Sequence, residues 1–455
     1  MIRLRSRVIG SLLLAVTPFL FSAATAAPAA DRRPSQDPQI RAMVNAVSAE
    51  RLRHIDTQLV SFGTRNLFSE NLASPHRGVF AARDFLVREF TDIARLSGGR
   101  MTVALDSYAQ AKTERTPRSV EVSSVVATLR GDEPASRTYV ISSHFDSRNS
   151  DGNDATRDAP GADDNGSGVS CVVEAARVMA AYHFRGTIIF AAYDGEEQGL
   201  FGSGHHAKVL HDAGLNVDGV LNNDIMGASV GHGGERTPRN VRLFSEALPL
   251  GAEPDRVNAR GTENDSLARE LARFVKETAE QYVPLMQADL IYRTDRFLRG
   301  GDQQSFAAQG FPAVRFVEVN ENYDHQHQDV RVENGIQYGD LQNFMDFAYL
   351  ARVTKMNVAA LAALALGPSR PANAQMLAKQ LSYDTTLQWD PVPEAASYEL
   401  VWRPTTAPTW TFSKLVGNTT SATIPVSKDN FFIGVRAVDS GGHRSVVAFP
   451  VPLTR

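Results

Sequence analysis

The chain has 455 residues, enough for two or three domains, and its 43% apolar and 22% charged content is that of a globular protein. A formal net charge of −4, with no concentrated run of Lys and Arg, excludes the electrostatic footprint of nucleic-acid binding or of attraction to an anionic membrane. The single cysteine, Cys171, excludes an internal disulfide, and its apolar neighbours predict a small buried side chain rather than a nucleophile.

The N-terminal segment has the composition of an export signal. Three arginines precede an apolar run over residues 8–21, and small residues follow it, which predicts a signal peptide over residues 1–26. The apolar run is shorter than the roughly 20 residues that cross a bilayer, and we find no later stretch apolar enough to do so. The sequence therefore predicts a secreted or periplasmic protein without a membrane span.

Helical and strand patterns alternate through the next part of the chain, after a lead-in over residues 27–39 that we expect to be mobile. Apolar residues every three or four positions predict helices over Val44–Val60, Val79–Leu96, Val169–Ala181, Ser266–Tyr282 and Leu341–Leu366. Short runs rich in β-branched residues predict strands at Thr102–Ala104, Val122–Leu129, Thr138–Ile141, Thr187–Ala192 and Ala313–Phe316. This alternation predicts an α/β domain over residues 40–367, with a mixed, largely parallel sheet covered by helices on both faces.

The C-terminal part of the chain has a different period. Residues 368–378 are predicted to be a linker, and beyond them apolar residues alternate at every second position. This pattern predicts a small all-β sandwich over residues 379–455 that resembles a fibronectin type III domain. Its expected core residues are Trp389, Tyr398, Ile433, Val435 and Ala437.

The residues with the strongest chemical signal lie where predicted strands end. His144 and Asp146 follow a buried strand, and residues two apart face the same side, so that Asp146 can orient the imidazole. Glu196 and Glu197 follow another strand, and adjacent carboxylates repel each other unless a cation or a proton intervenes. Each motif also has a non-functional interpretation when it is considered alone. The first could be a surface histidine beside an aspartate, and the second a solvated acidic loop.

Three further motifs supply oxygen and nitrogen ligands. The turn Gly161–Gly168 carries an acidic pair among small residues, which let a carboxylate reach an ion close to the backbone. Asp224 lies at the end of a predicted strand, and His325 and His327 lie on a polar loop. Two imidazoles and three carboxylates are ligands for zinc-like ions, with one carboxylate bridging a pair. A carboxylate left free beside such a site can take a proton from water and pass it to a leaving amine.

Taken in order, His-x-Asp, Gly-Ala-Asp-Asp-Asn-Gly-Ser-Gly, Glu-Glu-x-Gly-Leu-x-Gly-Ser and Asn-x-Asp-x-x-Gly resemble the motifs of the M28 family of di-zinc aminopeptidases. The resemblance covers about residues 45–365 and implies peptide or protein substrates. It implies that Glu196 is the general base and acid and that Asp146 orients His144. The implied ligands of the two zinc ions are His144, Asp164 as the bridge, Glu197, Asp224 and one late histidine.

The chain departs from this family at the late histidine. Family members usually carry His-Thr-x-x-Asp-Thr, whereas this chain has His325-Gln326-His327-Gln328-Asp329. Spacing to Asp329 alone selects His325, but relatives with Gln-His-Gln keep the histidine between the glutamines, and we adopt His327. A similar choice arises between Asp163 and Asp164, where we adopt the second acid.

Some candidates carry less weight. Tyr292 could donate a hydrogen bond to a tetrahedral oxyanion, or be a half-buried core residue. Asp302 could bind a substrate amine, or be a solvated loop acid. Asp151, Asp154 and Asp158 could bind calcium, but their spacing fits no strict template, and we interpret them as a solvated acidic loop.

The favoured hypothesis is a secreted zinc exopeptidase that removes N-terminal residues from peptides. One alternative keeps the fold and changes the reaction, to that of a carboxypeptidase or of a glutaminyl cyclase, which resembles this family but tends to use one zinc. Another is a non-catalytic binding protein with the same fold. Every implied ligand type and the base are present in this chain, which argues against that last alternative.

Overall fold

The computed structural model describes residues 36–70, 74–133, 137–248, 261, 263–379 and 381–453. The expected signal peptide and most of the expected lead-in lie outside this part of the chain. The last residues of the lead-in are helical, because α1 (Pro38–Asn45) begins within it. The Asp37 carboxylate caps that helix by accepting hydrogen bonds from the backbone N–H groups of Gln39 and Ile40.

Eight strands in the described part of the chain form one central sheet. They are β1 (Met101–Gln110), β2 (Val120–Leu129), β3 (Thr138–His144), β4 (Thr187–Tyr193), β5 (Val217–Asn223), β6 (Asn240–Ser245), β7 (Gln287–Ile291) and β8 (Ala313–Val317). Their order is β1-β2-β4-β3-β5-β8-β6-β7. The four central strands β4, β3, β5 and β8 are mutually parallel, whereas β1 and β2 at one edge and the β8–β6 pair are antiparallel. The predicted mixed, largely parallel sheet is confirmed.

Helices cover both faces of this sheet. They are α2 (Ala49–Ser61), α3 (Val79–Ala94), α4 (Gly168–Met179), α5 (Glu196–Gly199), α6 (Phe201–Asp212), α7 (Leu267–Tyr282), α8 (Gln303–Ala308) and α9 (Phe347–Leu366). The adjacent residues Val140 and Ile141 of β3 belong to different buried apolar clusters, as the alternation of side chains along a strand requires. Helices α6 and α8 pack into the Val140 cluster, and α2, α4, α7 and α9 into the Ile141 cluster. Cys171 on α4 is buried as predicted, and burial raises the pKa of its thiol to about 12.

Helix α9 corrects one expectation. By length and composition, α9 could cross a membrane, and it is the one helix in the described part of the chain that could. The sequence predicts no such stretch after the N-terminal run. Most of its length is buried inside the fold, and Leu350, Met356 and Leu361 have no exposed surface. These contacts are those of the core helix of an α/β domain.

The C-terminal strands form two small sheets. After the hairpin β9 (Arg331–Glu333) and β10 (Ile336–Tyr338) come β11 (Gln375–Leu377), β12 (Thr385–Gln388), β13 (Ser397–Pro404), β14 (Phe412–Gly417), β15 (Ser421–Ile424), β16 (Phe431–Val438) and β17 (Val451–Leu453). The sheets have the orders β15-β12-β11-β17 and β14-β13-β16. The ring centroids of Trp389 and Tyr398 lie 5.2 Å apart in a core shared with Ile433, Val435 and Ala437.

The predicted boundary of this β region needs a correction. Strand β11 lies inside the expected linker 368–378, because it pairs with β12 and, in parallel, with β17. The chain therefore joins the C-terminal sheets before residue 379. The likeness to a fibronectin type III domain stays a prediction.

Ion pairs attach the C-terminal sheets to α7. Asp265, just before that helix, accepts hydrogen bonds from Arg273 at 2.9 Å and from Arg403 on β13 at 2.6 Å. Arg436 on β16 lies 2.9 Å from Glu277 of α7. Each of these carboxylates is therefore paired with an arginine where α7 meets the C-terminal sheets.

Candidate metal centre

The loops after the parallel strands bring the expected ligands to one edge of the sheet. His144 is the last residue of β3, and its register partner Tyr193 ends β4, three residues before Glu196. Asp224 directly follows β5, and Asp164 lies in the turn that leads into α4. The carboxyl ends of parallel strands share one edge, which is where open α/β sheets bind ligands.

Asp164 lies between the two imidazoles. Its Oδ1 is 3.3 Å from His144 Nε2, and its Oδ2 is 3.0 Å from His327 Nε2. His144 Nε2 is also 3.6 Å from Asp224 Oδ1, and His327 Nε2 is 3.0 Å from Glu197 Oε1. Two groups result, each with ligand atoms within 4.8 Å of one another: His144 with Glu196 and Asp224, and Asp164 with Glu197 and His327.

Asp146 connects the first imidazole to the start of α5. His144 Nδ1 lies 3.4 Å from the Asp146 carboxylate and 3.2 Å from its backbone carbonyl oxygen. The same carboxylate accepts hydrogen bonds from the backbone N–H groups of Glu196 at 3.1 Å and Glu197 at 3.2 Å. This buried acid therefore fixes both a ligand and the adjacent glutamates, as a partner of a metal-binding histidine does.

The site has an excess of negative charge. Removal from water raises the pKa of Glu196 well above its usual value, and the neighbouring Asp224 and Glu197 raise it further. Burial opposes protonation of His144 and His327, but the surrounding carboxylates outweigh it, so that the pKa of His144 rises well above normal and that of His327 rises to about 10. The carboxylates around each imidazole favour its protonated form, because an opposite charge within a few ångströms stabilises the charged state.

The donor set fits divalent metal ions. Asp224 Oδ1 is buried and has no hydrogen-bond partner among the described residues, a costly arrangement unless a cation takes that place. Imidazole nitrogen with carboxylate oxygen is a ligand combination that zinc uses.

Of the two adjacent acids in the turn, Asp164 faces the imidazoles and Asp163 faces away. The Oδ1 atom of Asp163 accepts a hydrogen bond from the Gly227 N–H at 2.7 Å. Asp340 fixes the turn, because its carboxylate accepts from the backbone N–H groups of Asp163 at 2.9 Å and Asp164 at 2.7 Å. No local pattern indicated Asp340, which lies far along the chain.

Arg65 is a second positioning residue that the motifs did not reveal. Its fully buried guanidinium donates hydrogen bonds to the backbone carbonyls of Phe145, Pro160 and Gly161. These carbonyls belong to the two loops that carry His144 and Asp164. Arg65 thus holds the two loops together.

The late histidines have different environments. The His325 ring stacks on Phe344 with centroids 3.6 Å apart, outside both ligand groups, whereas His327 lies in one of them. Gln326 Nε2 also donates to Asp164 Oδ2 at 3.0 Å. His327 adopts a left-handed backbone with φ of +54°, a conformation that costs about 1–3 kcal/mol and is typical of functional sites.

Arg315 is a site residue that the sequence analysis missed. It is fully buried on β8, with Nη2 2.7 Å from Asp224 Oδ2 and Nη1 2.7 Å from Asp295 Oδ2. An arginine in the middle of a predicted buried strand was the available signal, because a buried charge needs a partner.

Two weaker candidates need correction. The Tyr292 hydroxyl donates to the Pro408 carbonyl at 3.0 Å, in the C-terminal region, and Tyr292 is not among the described residues that line the cavity, so the expected contact with an oxyanion has no support. Asp302 is fully buried, which excludes a solvated loop acid, and burial raises its pKa to about 7. It is not among the described residues that line the cavity beside the ligands, so an amine contact there has no support.

The acidic loop before the turn does not converge on one point. Asp158 pairs with Arg77 at 2.8 Å, and Asp154 binds Arg157. Asp151 accepts a hydrogen bond from the Asn153 N–H. These separate partners give no support to a calcium site.

An open α/β sheet whose carboxyl edge gathers imidazole and carboxylate ligands is an arrangement found in metal-dependent hydrolases. Residues 124–351 match Peptidase family M28. A protein named probable zinc metalloprotease, from Leptosphaeria maculans, is 47% identical over 426 residues, which cover 92% of this chain and 98% of that relative. The chain belongs to peptidase family M28, and the resemblance carried by its motifs is confirmed.

Two solved structures share this fold. The LapA aminopeptidase of Legionella pneumophila has a TM-score of 0.51 at 20% identity, over 72% of this chain and 75% of that one. A glutaminyl cyclase of Fimbriiglobus ruber has a TM-score of 0.51 at 16% identity, over 74% of this chain and 99% of that one. At these identities the likeness supports the fold alone.

Proposed function

We propose that this protein is an exported aminopeptidase that uses two zinc ions to hydrolyse N-terminal residues from peptides. The observation that carries the proposal is the position of Asp164, which directs one oxygen toward His144 and the other toward His327. A carboxylate shared in this way can serve two cations. Membership of peptidase family M28 supplies the reaction class, peptide hydrolysis.

In this proposal His144, Asp224 and Asp164 hold one ion, and Asp164, Glu197 and His327 hold the other. When bound, zinc supplies a Lewis acid that polarises the scissile carbonyl and lowers the pKa of water. The chain must keep its own ligands deprotonated for this purpose, which the cations would favour by compensating the excess negative charge.

Glu196 is the general base in this proposal. Its carboxyl lines the cavity beside the ligand groups, and its backbone N–H is held by Asp146. A carboxyl with a raised pKa can take the proton of the attacking water, retain it and donate it to the leaving amine. Asp146 acts as a positioning residue, because it orients the imidazole of His144 and the start of α5 together.

A second candidate function is cyclisation of an N-terminal glutamine with a single zinc ion. It is favoured by the ion pair between Arg315 and Asp224, which reduces the negative charge of the group around His144. In that reaction the group around His327 would hold the metal. Metal stoichiometry separates the two candidates.

The test uses the full chain loaded with zinc. Elemental analysis should give two zinc ions per chain, and leucine p-nitroanilide should be hydrolysed whereas its N-acetylated counterpart should not. One zinc ion per chain, with loss of ammonia from a peptide that begins with glutamine, would favour the cyclase. Zinc-loaded protein that leaves both free-amine substrates unchanged would rule out both candidates.

We also propose export directed by residues 1–26. The basic, apolar and small-residue order of that segment supports it. Expression in a secreting host should yield a protein whose N-terminal sequence begins near Ala27. Retention of Met1 in the exported protein would contradict the assignment.

A further inference from the structure

The cavity beside the metal centre has a volume of about 450 Å³ and a wall rich in arginine. Glu196, Glu197, Asp164 and Asp224 also line it, and the proposed function requires cations beside them. Both signs of charge therefore line the cavity, and its arginines differ in whether a carboxylate of the chain compensates them. The arginines of the wall are Arg115, Arg148, Arg296, Arg299 and Arg315.

Three of these arginines already have carboxylate partners. Arg296 and Arg299 share Glu321, at 2.8 Å and 2.7 Å. Arg315 pairs with Asp224 and with a second acid, as described above. Their charges are therefore largely compensated within the fold.

Arg115 and Arg148 have no carboxylate partner in the described part of the chain. Arg115 Nη2 donates to the backbone carbonyl of Glu197 at 3.2 Å, which places the guanidinium beside a ligand residue. Arg148 donates from Nε to the Asn149 carbonyl at 3.1 Å and from Nη2 to the Ser150 carbonyl at 3.2 Å. Neutral carbonyls thus hold both side chains at the cavity while their positive charges stay uncompensated.

We infer that Arg115 and Arg148 bind a carboxylate of the peptide substrate close to the scissile bond. A guanidinium matches a carboxylate with paired N–H donors and loses its hydration more readily than an ammonium group does. The carboxylate has two sources, the C-terminus of a dipeptide or an acidic side chain. This inference rests on the proposed function, because it names the substrate class of the same site.

The experiment compares kcat/KM of the zinc-loaded full chain within two substrate pairs. Leu-Ala against Leu-Ala-NH2 tests the terminal carboxylate, and Leu-Glu-NH2 against Leu-Gln-NH2 tests the acidic side chain. We expect a preference of about tenfold or more for the charged member of at least one pair, as for other hydrogen bonds to charged groups. Arg115→Gln and Arg148→Gln should each reduce that ratio, whereas Arg88→Gln, on the exposed face of α3, should leave it unchanged.

Equal kcat/KM within both pairs would overturn the inference and leave the proposed function standing. A preference that survives in both cavity variants would overturn the assignment to Arg115 and Arg148. If no peptide is hydrolysed, the proposed function fails, and calorimetry then tests the inference separately. The probe is Leu-Ala with a reduced CH2–NH link, as free acid and as amide, and equal affinity for the two forms would contradict carboxylate binding.

Discussion

Two regions of this molecule hold many carboxylates away from water, and they do so in opposite ways. At the metal centre the acidic side chains outnumber the basic ones. Desolvation and neighbouring carboxylates raise the pKa values of Glu196 and Glu197. In the C-terminal sheets burial would raise the pKa of Glu399 as well, but Arg436 and Arg444 outweigh it and lower that pKa to about 2.

Whether the chain neutralises a buried acid with its own arginine indicates whether that acid holds the fold together or serves the candidate site. Acids that the chain neutralises with its own arginines attach one element to another, as Asp265 does between α7 and β13. Glu196 and Glu197, which form no ion pair with an arginine in the described part of the chain, keep raised pKa values beside the two imidazoles, and such a group of acids suits a cation from outside the chain. Four experiments test this contrast, in order of decreasing expected effect.

Asp164→Asn should abolish zinc binding in both groups, because the amide cannot supply a charged oxygen to each. The loss of zinc affinity should exceed the roughly 100-fold that removal of an outer-sphere partner causes. Zinc per chain after dialysis is the measurement. Asp163→Asn is the matched control, since that acid faces away from the imidazoles and should leave the zinc content unchanged. Full zinc content in Asp164→Asn would contradict a shared ligand.

Glu196→Gln should keep the fold and the zinc content but lower kcat by about 10²–10⁴, because a neutral amide cannot accept the proton from water. Steady-state kinetics with leucine p-nitroanilide, beside elemental analysis of the same sample, gives both readouts. Normal turnover in this variant would remove Glu196 from the proposed role. A parallel loss of zinc would make it a ligand instead.

Asp265→Asn tests the ion pairs that join the C-terminal sheets to α7. It leaves Arg403 and Arg273 facing a neutral group in a buried contact, which should lower the free energy of unfolding by about 3 kcal/mol, with zinc content unchanged. Denaturant unfolding is the measurement. Asp212→Asn, which breaks the exposed pair with Lys208, is the control and should have no measurable effect. Equal stability of the two variants would mean that this contact does not attach the C-terminal sheets.

The low pKa of Glu399 predicts a stability that depends on pH. The pKa is about 2 in the folded chain and about 4.3 in an unfolded one. The contribution is therefore complete above the unfolded value and is lost as the pH falls from about 4 to about 2. The difference in unfolding free energy between the wild type and Glu399→Gln should shrink by about 2 kcal/mol over that range. A difference that stays constant would show that the arginines do not stabilise the ionised acid.

The sheet and the cluster of candidate ligands could be predicted because both follow from local patterns. Alternation along strands and the shared edge of parallel strands bring His144 and Asp224 together, and the small residues of the Gly161–Gly168 turn indicate that Asp164 can reach them. Asp340 and Arg65 could not be found in this way, because their partners come from distant segments, and for Arg315 the buried strand indicates a partner but not which one. The backbone of His327 gives no signal either, since a left-handed conformation of a residue other than glycine leaves no pattern in the sequence.

The predictions that the structure corrects or leaves without support have the same physical origin. The sequence leaves Tyr292 open between an oxyanion donor and a half-buried core residue, because its hydrogen bond to Pro408 depends on how the C-terminal region packs. Strand β11 has three residues, too few for alternation to appear before pairing with β12 and β17 defines it.

The position of Asp164 has one more consequence. An acid that serves two cations divides its charge between them, so the first ion to arrive leaves less attraction for the second. If the proposed function is right and two zinc ions bind, loading should therefore be anticooperative: under metal scarcity, chains with one ion would outnumber empty and fully loaded chains. The protein would then pass through a half-loaded form over a wide span of metal supply.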